Sequence, residues 1–179
     1  MQSVTATSIR FDSQKLIETI PDIKLLPEFD RHLQISVTHS EASPTWFDSV
    51  GSLYDYEVKQ FTRKTSDFSV LNQHFSGTYM EEVIERVREV ASQDGVKIGR
   101  IRFMYLLPKT CYTLHVDLEE FRYHVPLVSN KRCFFVNADQ VERMCGIGQL
   151  YRFRTREPHT AVNASTETRI HLVFDTYTE

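Results

Sequence analysis

The stretch "VKIGRIRFMYLLPKTCYTLHVDLEEFRYHVPLVS", residues 96–129, consists of short runs rich in β-branched and aromatic residues, with a break at Pro108. Runs of this length and composition are typical of β-strands. The pattern continues toward the C-terminus in "RCFFVNA", "GQLYRFRTRE", "HTAVNA" and "TRIHLVFDTYT". Many short strands at close spacing predict an antiparallel sandwich or barrel of the jelly-roll or cupin kind.

One amphipathic helix is predicted before these strands, in "TYMEEVIERVREVASQDG", residues 78–95. Thr78 and Glu81 have the spacing of a capping box at its start, and Gly95 is a typical helix end. Apolar residues recur along one face of this segment, so we expect the helix to pack against a sheet.

The N-terminal part is predicted to add a short helix at residues 13–20 and a half-buried strand at residues 32–39, where apolar and polar residues alternate. No internal repeat or linker divides the sequence. We therefore predict a single domain over residues 1–179: an N-terminal cap with strands (1–75), a supporting helix (76–95) and a jelly-roll core that holds a metal site (96–179).

Composition excludes several classes of function. The chain has 179 residues and a formal net charge of −3, with acidic and basic residues interspersed, so nucleic acid is not an expected partner. Its three cysteines, Cys111, Cys133 and Cys145, have irregular spacing, which favours reduced thiols and a cytoplasmic protein. No apolar run approaches the roughly 18 residues of a membrane span, so we expect a soluble protein with no membrane partner.

The strands around residue 117 carry polar groups that a β-sheet core rarely contains. Side chains two positions apart share one face of a strand, so His115 and Asp117 project together, as do Arg122 and His124 on the following strand. An isolated buried charge is strongly destabilising. A divalent metal and an anionic ligand would compensate these groups.

Two residues downstream extend the same chemistry. His159 adds a second histidine to the pair at His115 and Asp117, and Arg169 follows ten residues later. Two histidines and one carboxylate, with coordination positions left open, form the facial triad of non-haem iron(II) oxygenases. An arginine nearby can hold a carboxylate through two parallel hydrogen bonds.

The ordered segments "HVD", "RYHVPL", "PHTAVNAS" and "TRIHLVFD" resemble the aspartyl/asparaginyl β-hydroxylase family of Fe(II)/2-oxoglutarate-dependent oxygenases, which includes the proline cis-4-hydroxylases. The resemblance covers residues 98–175 and implies a double-stranded β-helix. It implies iron at His115, Asp117 and His159, and the distal carboxylate of 2-oxoglutarate at Arg169. Some members that act on protein domains lack the metal carboxylate, whereas Asp117 is present here.

By the same resemblance, Arg122 and His124 would help to hold the C1 carboxylate end of the cosubstrate or the water beside the metal. An alternative is that these two residues form a network that orients the metal ligands. His171 shares a strand face with Arg169, and we expect a structural role for it.

The activity implied by the resemblance is hydroxylation of an amino acid, free or in a peptide, with consumption of O2 and release of succinate and CO2. A rival hypothesis is a cupin-like protein that binds a metal and a small carboxylate without oxygenase activity. A third is a zinc-dependent isomerase or hydrolase, although an anion-binding Arg169 has no obvious task in simple hydrolysis. The expected partner is a small-molecule or peptide substrate, and the sequence indicates no oligomeric state.

Overall fold

The computed structural model describes residues 3–55, 57–138 and 140–178. The chain forms two compact units: Met1–Ile17 with Met104–Val173, and Glu18–Phe103 with Phe174–Glu179. The prediction of a single domain, with its segments 1–75, 76–95 and 96–179, stays a prediction; five of its residues, Met1, Gln2, Tyr56, Asp139 and Glu179, lie outside the described ranges.

The helices are α1 (Ser13–Glu18), α2 (Phe29–His32) and α3 (Tyr79–Gln93), with short 3-10 turns at Ile23–Leu25, Thr65–Asp67 and Gln73–Phe75. The strands are, in chain order, β1 (Val4–Arg10), β2 (Gln34–Ser36), β3 (Thr38–His39), β4 (Tyr54–Asp55), β5 (Gln60–Phe61), β6 (Val70–Leu71), β7 (Lys97–Leu106), β8 (Thr110–Cys111), β9 (Phe121–Val128), β10 (Cys133–Asn137), β11 (Gln140–Glu142), β12 (Gln149–Arg154), β13 (His159–Asn163) and β14 (Arg169–Tyr177).

The first unit contains two antiparallel sheets that share one core. One sheet includes β1, β12 and β9, in that order, and the other has the order β11-β10-β13-β8. Phe135 on β10 and Phe153 on β12 meet across the interior, with ring centroids 4.7 Å apart, within a larger apolar cluster. The prediction of a mainly β, jelly-roll-like fold is therefore confirmed.

A glycine closes the junction between β1 and β12. Gly148 has φ of +76°, and a Cβ atom there would lie 2.3 Å from the carbonyl oxygen of Phe11. The Phe11 amide donates to the Gly148 carbonyl at 2.8 Å. Only glycine combines this backbone conformation with such close packing.

The second unit contains the predicted amphipathic helix, α3. Its buried face consists of Met80, Val83, Ile84, Val87 and Ala91. Thr78 caps the helix by accepting a hydrogen bond from the Met80 amide, whereas the Glu81 carboxylate accepts from the Ser76 hydroxyl. The helix is thus capped at the predicted residue, with a different partner for Glu81. Among the described residues, no helix is long and apolar enough to cross a membrane.

Candidate metal centre

Three predicted metal ligands come together in the first unit. One donor atom from each of His115, Asp117 and His159 lies within 4.8 Å of the other two. The Asp117 Oδ1 atom is 3.8 Å from His115 Nε2, and its Oδ2 atom is 3.4 Å from His159 Nε2. Residues that lie 44 positions apart in the sequence therefore present two imidazoles and one carboxylate to the same point.

Backbone pairing brings the two histidines together. The His159 amide donates to the His115 carbonyl at 2.9 Å, and the His115 amide donates to the His159 carbonyl at 3.1 Å. Farther along, Cys111 pairs with Val162. Between these two pairs the chain advances four residues on one side, from Cys111 to His115, but only three on the other, from Val162 to His159. The extra residue is a β-bulge, a feature that commonly re-aims a side chain beside a functional site.

The strand predicted at residues 111–117 is interrupted in the structure. The sequence predicts a strand through "CYTLHVD", but β8 ends at Cys111 and regular pairing is interrupted before the isolated bridge at His115. The Thr160 hydroxyl donates to the Tyr112 carbonyl at 2.6 Å in this interval. Side-chain and backbone hydrogen bonds thus replace the regular ladder just before the candidate metal ligands.

The two histidine rings are held so that Nε2 points toward the shared site. His115 Nδ1 lies 2.7 Å from the Thr113 carbonyl oxygen, and His159 Nδ1 lies 2.9 Å from the Glu157 carbonyl oxygen. A carbonyl can only accept, so each Nδ1 carries the proton. Each Nε2 therefore keeps its lone pair, the form in which histidine binds a metal.

Asp117 is held by one charged partner and one backbone contact. Arg122 Nη1 lies 2.7 Å from Asp117 Oδ2, and the Asp117 amide donates to the Thr155 carbonyl at 3.0 Å. Arg122, predicted to hold either the cosubstrate or the metal ligands, thus contacts a metal-ligand candidate directly. Its other terminal nitrogen is 4.0 Å from Glu119 Oε2.

The donor set fits a divalent transition metal. Two neutral imidazoles and one ionised carboxylate suit iron(II) and related ions, and three protein ligands leave further coordination positions for small molecules. The side chain of His115 is 39% exposed, whereas those of Asp117 and His159 are 11% and 4% exposed. The centre is therefore open on the His115 side and closed on the His159 side.

Arg169, at the start of β14, is a buried cation with unfilled hydrogen-bonding capacity. It is 2% exposed, and its Nε and Nη1 atoms have no hydrogen-bond partner among the described residues. Burial lowers the pKa of Arg169, an effect that Tyr112 and Cys133 partly offset. A buried donor left unsatisfied costs about 1–3 kcal/mol, and more if it is charged. These features fit the binding of a carboxylate.

Arg169 and the candidate metal ligands line the same interior. The Arg169 guanidinium carbon lies 5.1 Å from the centroid of the Phe135 ring. Phe135 pairs with Ala161, which is two residues from His159 on β13. Two residues of a strand span about 7 Å. Phe135 also contacts Phe153, whose ring centroid lies 5.2 Å from that of His159, so a series of ring contacts connects Arg169 to the His-Asp-His cluster.

His124 and His171 lie side by side in the same interior. Their Nδ1 atoms are 3.4 Å apart, and both rings contact Phe135. The pKa of His171 lies well below its usual range because of burial first, then the positive charge of Arg169 and the proximity of His124. His171, for which only a structural role was predicted, is therefore a neutral ring next to a predicted cosubstrate contact.

Two further residues of this interior were not predicted from the sequence. Tyr112 interacts electrostatically with Arg169, and Phe135 lies beneath the guanidinium. One of two adjacent phenylalanines in "RCFFVNA" must face inward, but the sequence does not say which. The pairing of Phe135 with Ala161 decides it, because the interior residues of β10 and β13 alternate in phase.

Comparison with known proteins gives the following matches. A family model described as aspartyl/asparaginyl beta-hydroxylase matches residues 35–179. The solved structure of IDO from Bacillus thuringiensis has 11% sequence identity and a TM-score of 0.52 over 99% of this chain and 91% of that protein, which shows a shared fold. No curated protein gives a match.

Two other solved structures give TM-scores below 0.5. One is an oxidoreductase of the 2OG-Fe(II) oxygenase family from Burkholderia pseudomallei, with 16% identity, a TM-score of 0.49 and 60% of each chain covered. The other is the viral collagen prolyl hydroxylase vCPH of Paramecium Bursaria Chlorella virus-1, with 12% identity, a TM-score of 0.47, and coverage of 57% of this chain and 75% of that one. The match to the Burkholderia protein thus spans less than two thirds of its length.

Proposed function

We propose that this chain, which belongs to the aspartyl/asparaginyl β-hydroxylase family, is an Fe(II)- and 2-oxoglutarate-dependent dioxygenase that hydroxylates an amino acid, free or in a peptide. The observation that carries the proposal is a buried Arg169 with unfilled donors that is connected to a His-Asp-His cluster through contacts with Phe135 and Phe153. A metal and a dicarboxylate together account for both features.

In this proposal, the residues of the first unit hold the cofactor and cosubstrate. His115, Asp117 and His159 would bind iron through two Nε2 atoms and a carboxylate oxygen, in the geometry that their Nδ1 hydrogen bonds fix. When bound, iron supplies the activation of O2 that couples decarboxylation of 2-oxoglutarate to hydroxylation of a C–H bond. The protein then has to orient both molecules and exclude water.

Arg169 would hold the distal carboxylate of 2-oxoglutarate. Its Nε and Nη1 atoms are both buried donors without a partner in the described part of the chain, so the guanidinium keeps hydrogen-bonding capacity that a carboxylate can fill. The aromatic ring of Phe135 beneath the guanidinium keeps this end of the interior apolar and favours charge pairing over hydration.

Arg122 and His124 would have different tasks. Arg122 forms an ion pair with Asp117, which supports the alternative that it orients a metal ligand. His124 lies in the interior against Phe135 and Phe153, and this position supports a contact with the C1 carboxylate end of the cosubstrate.

The substrate would approach from the His115 side. That side of the metal centre is open, whereas His159 and Arg169 are enclosed. Leu114, Val116 and Leu118 alternate with the metal ligands and are more than half exposed, which leaves apolar surface beside the opening. A small amino acid or an extended peptide can reach such a site.

An anaerobic titration tests the proposal. The purified protein is mixed with Fe(II) and 2-oxoglutarate, and the visible absorption band that accompanies chelation of the cosubstrate is recorded for the wild type, Arg169→Lys and Arg169→Met. We expect a band in the wild type whose formation needs much higher 2-oxoglutarate concentrations in both variants. A wild type that binds Fe(II) but gives no band would contradict the proposal, and a metal-bound protein that forms the band but never consumes O2 would favour the cupin-like binding protein.

A further inference from the structure

The His124–His171 pair offers hydrogen-bonding geometry that the proposed function has not used. Both residues are buried, with exposures of 6% and 1%. The rings are nearly perpendicular, at 76°, and meet through their Nδ1 atoms at 3.4 Å. β9 and β14, which carry them, are neighbours in the larger sheet. The contact therefore joins the strand of Arg169 to the strand of Arg122.

The number of protons on the pair limits what each ring can donate. A neutral imidazole has one N–H and one lone pair, so an Nδ1-to-Nδ1 hydrogen bond needs one ring as donor and the other as acceptor. The accepting ring then carries its own proton on Nε2, and the donating ring keeps a lone pair there. Apolar neighbours such as Phe135 and Phe153, together with the Arg169 cation, disfavour a third proton on the pair.

We propose that His171 is a positioning residue: its Nδ1–H donates to His124 Nδ1 and thereby places the proton of His124 on Nε2, where it is available to a carboxylate of the cosubstrate. This inference rests on the proposed function for the identity of the carboxylate ligand. It assigns His171 a task that acts through His124 and needs no contact of its own with the ligand.

The surroundings of His171 support this direction of donation. Its Nε2 atom is buried and has no hydrogen-bond partner among the described residues, and two Arg169 donors in the same interior are also unfilled. Each arrangement leaves one Nε2–H on the pair, and in the reverse arrangement this donor belongs to His171, whose pKa the nearby Arg169 cation helps to lower. A lone pair at that position adds an acceptor to a region that is rich in donors, and it is electrostatically favoured beside Arg169.

Two amide variants distinguish the roles of the two ring nitrogens of His171. His171→Asn places an amide N–H near the position of Nδ1, His171→Gln places one near Nε2, and His171→Leu removes both. We expect the Kd of 2-oxoglutarate for the Mn(II)-loaded protein, measured by calorimetry, to stay within about threefold of wild type in the Asn variant. In the Gln and Leu variants it should rise about tenfold or more, whereas the surface control His32→Gln should match the wild type.

Rescue by Gln but not by Asn would overturn the proposal, because it would mean that His171 acts through Nε2. A wild-type Kd in all three variants would overturn it as well. Near-ultraviolet circular dichroism and the Mn(II) affinity of each variant establish that the fold and the metal centre persist.

A second measurement uses only the wild-type protein, so it does not depend on the folding of any variant. Long-range 15N–1H correlation spectra of the wild-type protein labelled at histidine nitrogens report which nitrogen carries the proton. We expect a protonated Nδ1 in His171 and a protonated Nε2 in His124, and the opposite pattern would overturn the proposal. The tautomers can be read whether or not the protein oxidises a substrate, so failure of the oxygenase function and failure of this inference are distinguishable.

Discussion

His115 and His159 exchange a pair of backbone hydrogen bonds, and their imidazole rings lie 4.4 Å apart, at centroid distance, on the same side of that bridge. A bulge of one residue between Cys111 and His115 produces this alignment. The position of the two candidate histidine ligands is thus set by backbone pairing, and Asp117 follows two residues later on the same face.

The ion pair between Arg122 and Asp117 predicts that metal affinity depends on a residue that is not itself a candidate ligand. Arg122→Met removes the cation paired with the Asp117 carboxylate, while it keeps an unbranched apolar stem. We expect the Kd for Fe(II) or Mn(II) to rise about 10- to 100-fold, as is typical of residues that orient metal ligands. Competition titration with a metal-sensitive dye measures this effect.

Arg154→Met is the matched control, because Arg154 forms an exposed pair with Glu120 beside the same strands. Equal metal affinities for Arg122→Met and wild type would contradict a role of Arg122 in positioning Asp117.

Arg169→Met should separate stability from ligand binding. Replacing a buried charge that lacks a full set of partners with an apolar side chain is often stabilising, by about 1–4 kcal/mol. We expect the ligand-free variant to unfold at higher urea concentration than wild type, yet to gain no stability from 2-oxoglutarate. A variant less stable than wild type without ligand would show that Arg169 has compensating partners.

Asn163 is expected to be the polar residue whose loss is most damaging near Arg169. Its amide donates to the carbonyls of Leu106 and Glu167, both at 2.8 Å, and its oxygen accepts from the Ser165 amide and hydroxyl. Asn163→Leu leaves several buried groups unpaired, and we expect it to lower the free energy of unfolding by about 3 kcal/mol or more. Urea denaturation measures it, with the half-buried Asn130→Leu as control.

The buried histidine pair predicts a pH effect on stability. The pKa of His171 is lower in the folded state than its usual 6.5, so below about pH 6.5 the unfolded chain takes up a proton that the folded chain does not. His171 therefore destabilises the fold as pH falls, by at most about 1.4 kcal/mol per pH unit. His171→Leu should reduce the slope of unfolding free energy between pH 6.5 and 5, measured with metal removed by a chelator; an unchanged slope would contradict the prediction.

Much of the fold and of the metal centre was predictable because strand periodicity and residue type carry that information. Side chains two apart share a face, which put His115 beside Asp117, and short alternating runs indicated antiparallel sheets. The bulge before His115 was not predictable, since it depends on which residues of two distant strands pair. The same holds for the Arg122 contact with Asp117, which depends on side-chain conformation after folding.

Product analysis under 18O2 is the most direct test of the dioxygenase activity. Wild-type protein with Fe(II), 2-oxoglutarate and a panel of free amino acids and short peptides should form succinate, together with one product that contains an oxygen atom from 18O2. Asp117→Ala should form neither. Succinate formation that persists in Asp117→Ala, or a wild type that binds Fe(II) and 2-oxoglutarate yet never forms succinate, would contradict the account.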